Sequence, residues 1–294
     1  MATAVPTLPD AQAAALKAAY DRAIAAKRGW FWLGMAALAV TIAASGWIAE
    51  VDLGKLAANI GKFTSYLGRL FFLDTGKPVW TDFKEWFWGV PKWSGKLIET
   101  LLIAYVGTIL GGLGGFLLCF AAAQNVTRSW LPLFVARRVL EFCRTVPEIV
   151  FALLFVAAFG LGPLPGVLAI ALHTTGALGK LYYEVVENAD MKPFEGVVAA
   201  GGTWVESLRF AILPQVVSNF ASYGLLRFEI NVRGAAVMGF VGAGGIGQDL
   251  LEAIRKFYYS DVSALLVIII ATVMIIDLVT ERIRHAMIGE EGRR

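Results

Sequence analysis

From Trp30 to Ala49 the chain runs for twenty residues without a charged side chain, bounded by Lys27-Arg28 and Glu50. About 20 mostly apolar residues are what a helix needs to cross a bilayer, so this stretch is expected to span a membrane. Thr100 to Thr127 is a second charge-free run. Composition agrees: 57% of the 294 residues are hydrophobic and 17% charged, against roughly a quarter charged in a soluble domain. A disordered chain is excluded and a soluble enzyme disfavoured. A net charge of +3 is too balanced for a nucleic-acid binder. Cys119, Cys143, His173 and His285 form no zinc or disulfide pattern, and no metal site is expected.

Four more spans follow. One helix is expected from near Val139 to Phe159, carrying Glu141, Arg144 and Glu148 into or beside the membrane. Gly160 to Gly166 breaks it. The next runs from about Leu164 to Tyr182 and includes His173. Another begins near Ile212 and reaches Arg227 to Arg233. The last covers Ala264 to Ile283, with Asp277 in its final turns, where a pairing with Arg282 or Arg284 is expected. The fold class is therefore all-α, a polytopic membrane protein with six transmembrane helices.

The ends and loops set an orientation. Residues 1–29 read as a cytoplasmic amphipathic helix, with Leu16, Tyr20 and Ile24 on one face, leading into a first span at 30–49. This is expected to be a signal anchor rather than a cleaved signal. Arg128, Arg137-Arg138 and the C-terminal Arg282, Arg284, Arg293 and Arg294 put both termini in the cytoplasm, the tail being 285–294. Residues 50–96 are then extracytoplasmic. They carry Trp80, Phe83, Trp86, Phe87, Trp88 and Trp93, expected to form a small packed cap at the membrane–water interface.

The most informative stretch is polar, from Glu195 to Pro214. Gly201-Gly202 supplies the positive φ that ends one helix. Thr203 caps the next, with Glu206 completing a capping box. Pro214 falls in the first turn of the following span, where its missing N–H costs little. Physics alone reads this as two short helices at the cytoplasmic face, or as an ordinary connecting loop.

The spacing Glu195–x5–Gly201–x10–Ile212-Leu213-Pro214 resembles the EAA signature of importer-type ABC permeases, with Gly196 and Val197 in place of the two alanines. Arg144-Thr145-Val146-Pro147-Glu148, Ala171-Leu172-His173-Thr174-Thr175-Gly176 and Arg227 to Arg233 followed by Val241 to Gly247 narrow the resemblance to permeases of phosphonate-uptake systems, which also carry phosphate or phosphite. It covers roughly residues 97–284.

The resemblance implies a type I, MetI-like permease core at 97–284 containing a coupling loop at 190–212. Glu195, Gly201, Thr203, Glu206, Ile212 and Pro214 would form the ATPase-docking element. It implies no catalysis and no cofactor in this chain, with ATP and Mg held by two copies of a partner ATPase. A second copy of the chain, an extracytoplasmic phosphonate-binding protein and the lipid of the inner membrane complete the partners. Permeases for methionine or glycine betaine share the loop and remain an alternative.

Ionisable residues inside a membrane are costly and mark pathways. Arg227, Glu229 and Arg233, with Arg144, Glu148 and His173, are the candidate translocation residues. Glu229–Arg233 and Arg144–Glu148 are each spaced i, i+4 and are expected to pair. The arginines would face an anion bidentately, or they are interfacial charges. His173 would equally serve as a packing residue. Gly107, Gly111 and Gly115 give one helix a smooth face, towards a sister subunit or another helix of this chain. Gly242 to Gly247 fits GxGxxG but lacks the preceding strand of a dinucleotide site; a close-packed turn is expected, with a phosphate nest as the alternative. An intramembrane enzyme would need partners that Asp277 and His173 lack, and a channel or ion-coupled carrier would not need a docking loop.

Overall fold

The computed structural model describes residues 9–291; residues 1–8 and 292–294, the outer ends of the expected N-terminal segment and tail, lie outside the described residues. The chain divides into two units, with the boundary between Ser65 and Tyr66 in the sequence.

The first unit holds α1 (Asp10–Ile48) and most of α2 (Leu53–Arg69). The expected amphipathic helix and the first span are one continuous helix of 39 residues. Alanine-rich sequence favours helix throughout, and no proline interrupts it. At 1.5 Å per residue it is about 58 Å long, so the uncharged half alone suffices to cross a bilayer.

The second unit is also helical. A short turn of helix, α3 (Phe83–Trp86), is capped by Asp82, which accepts from the N–H groups of Lys84 and Glu85. It leads to α4 (Val90–Ala122). Two shorter helices follow, α5 (Trp130–Thr145) and α6 (Glu148–Phe159), bent by 87° at the break between them. The single helix expected from Val139 to Phe159 is therefore two helices. Pro147 removes a backbone donor and pushes Val146 out of the helical region; Val146 is extended, with ψ 124°.

Next come α7 (Pro163–Glu187), α8 (Lys192–Ala199) and α9 (Trp204–Ser207). A π-helical turn over Leu208–Ile212 joins α9 to α10 (Leu213–Met238). The chain closes with α11 (Ile246–Lys256) and α12 (Tyr259–Glu291). Among the described residues, α1, α4, α7 and α12 are long and apolar enough to cross a membrane, and the bent α5–α6 pair makes a fifth span if counted as one. At 26 residues α10 has the length, but its glutamine, asparagines, arginines and glutamate make it less apolar than the others.

The core of the second unit is built on α4 and α7. The Gly107–Gly111–Gly115 face of α4 lies against α7 of the same chain. A Cβ on Gly107 would meet Ile170 at 2.6 Å, one on Gly111 would meet Thr174 at 2.6 Å, and one on Gly115 the Gly179 nitrogen at 2.8 Å. Ile103, Phe151, Ile170, Val232 and Met238 pack where α4, α6, α7 and α10 meet. Cys119, Leu178, Tyr182, Ile212 and Phe220 fill one end of the bundle. Trp93, Ile246, Leu250 and Leu265 fill the other, joined by Trp86 and Phe87.

Part of the aromatic segment is thus a packed cap. Trp86 Nε1 donates to Ser263 Oγ and Trp88 Nε1 to Asp261 Oδ1, each at 2.9 Å. Trp80, Phe83 and Trp88 remain largely exposed. At this same end the glycine-rich run is a tight turn, with positive φ at Gly242, Gly244 and Gly245. The N–H of Gly245 donates to Glu99 Oε1 and that of Ile246 to Thr100 Oγ1. Those two donors are committed within the chain, which favours a packing turn over a phosphate nest.

Candidate functional site

Two groups of polar residues stand out, one at the end of the bundle opposite the glycine turn and one at its middle. The end group is built on α8 and α9. Gly201, at φ 87°, closes α8 with its N–H bonded to Val198 O. Thr203 then caps α9: its Oγ1 accepts from the Glu206 N–H, and Glu206 Oε2 accepts from the Thr203 N–H at 2.7 Å. The capping box read from the spacing forms. Those bonds hold the Glu206 carboxyl below the usual carboxylate range, the backbone bond from Thr203 contributing most.

This hairpin is fastened to the bundle at three points. Trp204 Nε1 donates to Val126 O in the α4–α5 loop, at 2.8 Å. Gln215 and Asp190 bond reciprocally, each at 3.0 Å, joining the start of α10 to the loop between α7 and α8. Ile212 is fully buried in the apolar cluster beneath. Glu195 is exposed in the first turn of α8, Pro214 is exposed in the first turn of α10, and Val198, Trp204, Val205 and Phe210 present apolar surface outward. Trp204, Asp190 and Gln215 were not singled out from the sequence. A capping-box tryptophan one residue after Thr203 was the available signal.

The middle group forms around the α5–α6 break. Val146, released from helical bonding, has its carbonyl within 3.0 Å of His173 Nδ1 on α7. This satisfies a backbone acceptor inside the bundle, where an unpaired one is costly, so His173 has a structural task. Arg144 is exposed at the end of α5 and forms no ion pair among the described residues. The expected Arg144–Glu148 pair is corrected: the bend removes the i, i+4 geometry, and Glu148 faces Arg227 of α10 instead, at 3.8 Å.

Arg227 Nε also points at Thr174 Oγ1, at 3.4 Å. One turn on, fully buried Asn231 donates through Nδ2 to Thr108 Oγ1 at 2.8 Å and Thr174 Oγ1 at 2.9 Å. Its Oδ1 has no partner. Asn231 thus ties α10 to both α4 and α7. Glu229 and Arg233 do pair, but on the side of α10 that meets α12. There Arg233 also reaches Asp277 at 3.3 Å, and Thr280 Oγ1 approaches Glu229. Asp277 therefore pairs with Arg233, not with Arg282 or Arg284. Arg227 and Arg233 lie on different faces, and only Arg227 belongs to the buried layer: its side chain is 13% exposed against 50% for Arg233. Among the described residues no three His, Cys, Asp or Glu side chains gather as metal ligands.

A helical bundle with several apolar spans, a polar mid-layer and an externally presented two-helix hairpin is the architecture of a multi-pass membrane protein. Residues 115–288 match the family described as binding-protein-dependent transport system inner membrane component, and the chain belongs to that family. It is a permease subunit of an ABC importer, a transport component rather than an enzyme.

The chain is 42% identical over 191 residues to the phosphite transport system permease protein PtxC of Stutzerimonas stutzeri, covering 65% of this chain and 70% of that one. It is 48% identical over 121 residues to the putative cryptic phosphonate transport system permease protein PhnE2 of Escherichia coli (strain K12), covering 41% of this chain and 99% of that one. Among solved structures, the methionine ABC transporter MetNI in inward-facing conformations aligns with a TM-score of 0.58 and 20% identity, over 66% of this chain and 95% of that one. That likeness speaks for the fold alone.

Proposed function

We propose that this permease carries a phosphorus oxyanion, with phosphonate, phosphite and phosphate as the substrate class. The observation that carries this reading is the mid-bundle layer formed by the α5–α6 break. It brings the N-terminus of α6, with its positive dipole end, to the level of Arg227. Broken helices use such ends to meet ions inside membranes. A guanidinium suits a phosphonate head, offering two parallel donors and a charge that does not titrate away. The names of the relatives point to the same class of solute.

In this reading two copies of the chain assemble about a two-fold axis and enclose one path. Two copies of a partner ATPase, which hold ATP and Mg, dock on the α8–α9 hairpins through Glu195, Gly201, Thr203 and Glu206. Their closure is transmitted through Trp204, Ile212, Pro214 and the Asp190–Gln215 tie to α4, α7 and α10. A phosphonate-type binding protein delivers the anion at the opposite end, and the termini face the cytoplasm. Arg233 and Glu229 stiffen the α10–α12 contact beside the path, and His173 holds the break open.

Uptake into vesicles containing the reconstituted complex tests this. Labelled phosphite or methylphosphonate should enter with ATP and be displaced by the other. Methionine and glycine betaine should not compete. Arg227→Ala should lose uptake while the complex still assembles and hydrolyses ATP at its basal rate, and Arg227→Lys should recover only part. Uptake of methionine or glycine betaine, or unchanged oxyanion uptake by Arg227→Ala, would overturn the reading.

A further inference from the structure

Leu53-Gly54-Lys55-Leu56, Ile60-Gly61-Lys62-Phe63 and Leu67-Gly68-Arg69-Leu70 form a seven-residue repeat of one pattern. It occupies α2 and the residue beyond. Leu53, Leu56, Ile60, Phe63 and Leu67 recur at i, i+3, i+7, i+10 and i+14, which places them on a single face. No residue of α2 is buried, and Leu53 is 69% and Phe63 58% exposed. Lys55, Lys62 and Arg69 fall on another line of the same helix. No acidic residue occurs between Leu53 and Arg69.

The start of α2 is defined by its neighbour. The uncharged part of α1 ends at Ile48. Glu50 then takes a positive φ of 53°, and the Val51 N–H bonds back to Gly46 O at 2.9 Å. Asp52 Oδ1 accepts from the Lys55 N–H at 2.9 Å and opens α2, and its Oδ2 lies 3.4 Å from Lys55 Nζ, an exposed pair that holds the ammonium only weakly. Only residues 49–52 separate the two helices. A helix that begins four residues after a membrane-crossing one begins at a membrane surface.

We propose that α2 is an interfacial helix, seated among anionic phospholipid headgroups at the C-terminal end of α1. Its five apolar side chains enter the acyl boundary, and Lys55 and Lys62 snorkel to lipid phosphates. A basic helix with no acidic residue fits an anionic surface. A paired coiled coil with a second copy fits poorly, because the stripe lasts under three heptads, short of the three to four such pairing needs, and three glycines weaken the helix. Against lipid, the glycines instead let the backbone lie close to the headgroups.

Nitroxide labels in the full chain, reconstituted in vesicles of phosphatidylethanolamine and phosphatidylglycerol, read this directly. Leu56→Cys, Ile60→Cys and Phe63→Cys should be more accessible to oxygen than to an aqueous nickel complex. Ala58→Cys, Lys62→Cys and Ser65→Cys should show the reverse. Adding Lys55→Gln to the Ile60→Cys chain should make the label shallower, and replacing phosphatidylglycerol with phosphatidylcholine should do the same. Nickel accessibility at all six sites would overturn the proposal in favour of a solvated helix. Protection from both reagents at 56, 60 and 63 would overturn it in favour of a protein partner, and spin–spin broadening there would identify that partner as a second copy.

Discussion

Glu148 Oε2 lies 3.8 Å from Arg227 Nη2, across a gap that exists because α5 and α6 are separate helices. The separation is long for an ion pair with hydrogen bonding, yet both side chains are mostly covered, 27% and 13% exposed. A Cβ on Gly234 would lie 3.2 Å from the Glu148 carboxyl carbon, so glycine at 234 makes room for that carboxylate. Glu148 therefore balances Arg227 without capturing its donor fork. In the path proposed above, such a counter-charge would keep the anion from binding too tightly to be released.

Glu148→Gln should then tighten apparent anion affinity and slow maximal uptake, because the neutral amide leaves Arg227 more positive. Concentration-dependent uptake in vesicles separates the two effects. Lower affinity with an unchanged maximal rate would mean that Glu148 merely positions Arg227.

Gly201 and Gly202 are adjacent and needed for different reasons. Gly201 has φ 87° and open space around its Cβ position, so Gly201→Val meets no clash but strains the backbone by about 1–2 kcal/mol. Gly202 has no positive φ, but a Cβ would lie 2.6 Å from Val197 Cγ1 and 2.9 Å from Val197 O. Either substitution should turn α9 away from α8 and weaken co-purification of the ATPase while the permease still inserts. Val197→Ala should partly rescue Gly202→Ala and leave Gly201→Val unimproved. Full ATPase binding by Gly201→Val would remove the hairpin from the docking role.

Glu206 gives the hairpin a defined acid limit. Bonds from Thr203 lower its pKa from 4.5, so the ionised form is the one the folded hairpin favours. A lowered carboxylate contributes stability above its unfolded pKa, and that contribution is lost as the pH falls through the folded value. Between pH 5 and 8 the capping box should be constant. ATPase co-purification should weaken from this cause only once the pH drops below about 4.5. Glu206→Gln should remove that acid step, seen as a flatter pH profile below the ordinary glutamate range.

Much of the fold is written locally. The Gly201–Thr203–Glu206 spacing specifies a helix end and a helix start within six residues, and α8 and α9 form there. The apolar runs locate α1, α4, α7 and α12 because burial in lipid demands them. Longer-range facts were less legible. Val139 to Phe159 reads as one span despite its three charges, and Pro147 divides it into two helices; that His173, on another helix, meets the freed Val146 carbonyl is a long-range fact the local sequence does not show. Asp277 is near Arg282 and Arg284 in sequence, but Arg233 reaches it from α10. Asn231 lies one helical turn from Arg227 within the Arg227–Arg233 stretch, but its role depends on Thr108 and Thr174 arriving from two other helices.

The α4 glycine face offers a sharp contrast within one helix. At Gly115 a Cβ would stand 2.8 Å from the Gly179 nitrogen and 3.2 Å from the Thr175 oxygen, both backbone atoms that cannot rotate aside. At Gly112 the nearest neighbour is Leu178 Cδ1 at 3.7 Å, an ordinary contact. Gly115→Ala must push α4 and α7 apart, an overpacking that costs about 1–3 kcal/mol. Gly112→Ala keeps the packing and gains helix propensity, worth up to about 1 kcal/mol. Thermal unfolding of the purified complex in detergent should therefore shift down for the first and stay level or rise for the second. Gly111→Ala, facing Thr174 Cβ at 2.6 Å and Ala171 O at 2.7 Å, should add a functional loss, because moving Thr174 disturbs the partner of both Asn231 and Arg227. Equal stability for the Gly112 and Gly115 variants would show that α4 and α7 do not meet through this face.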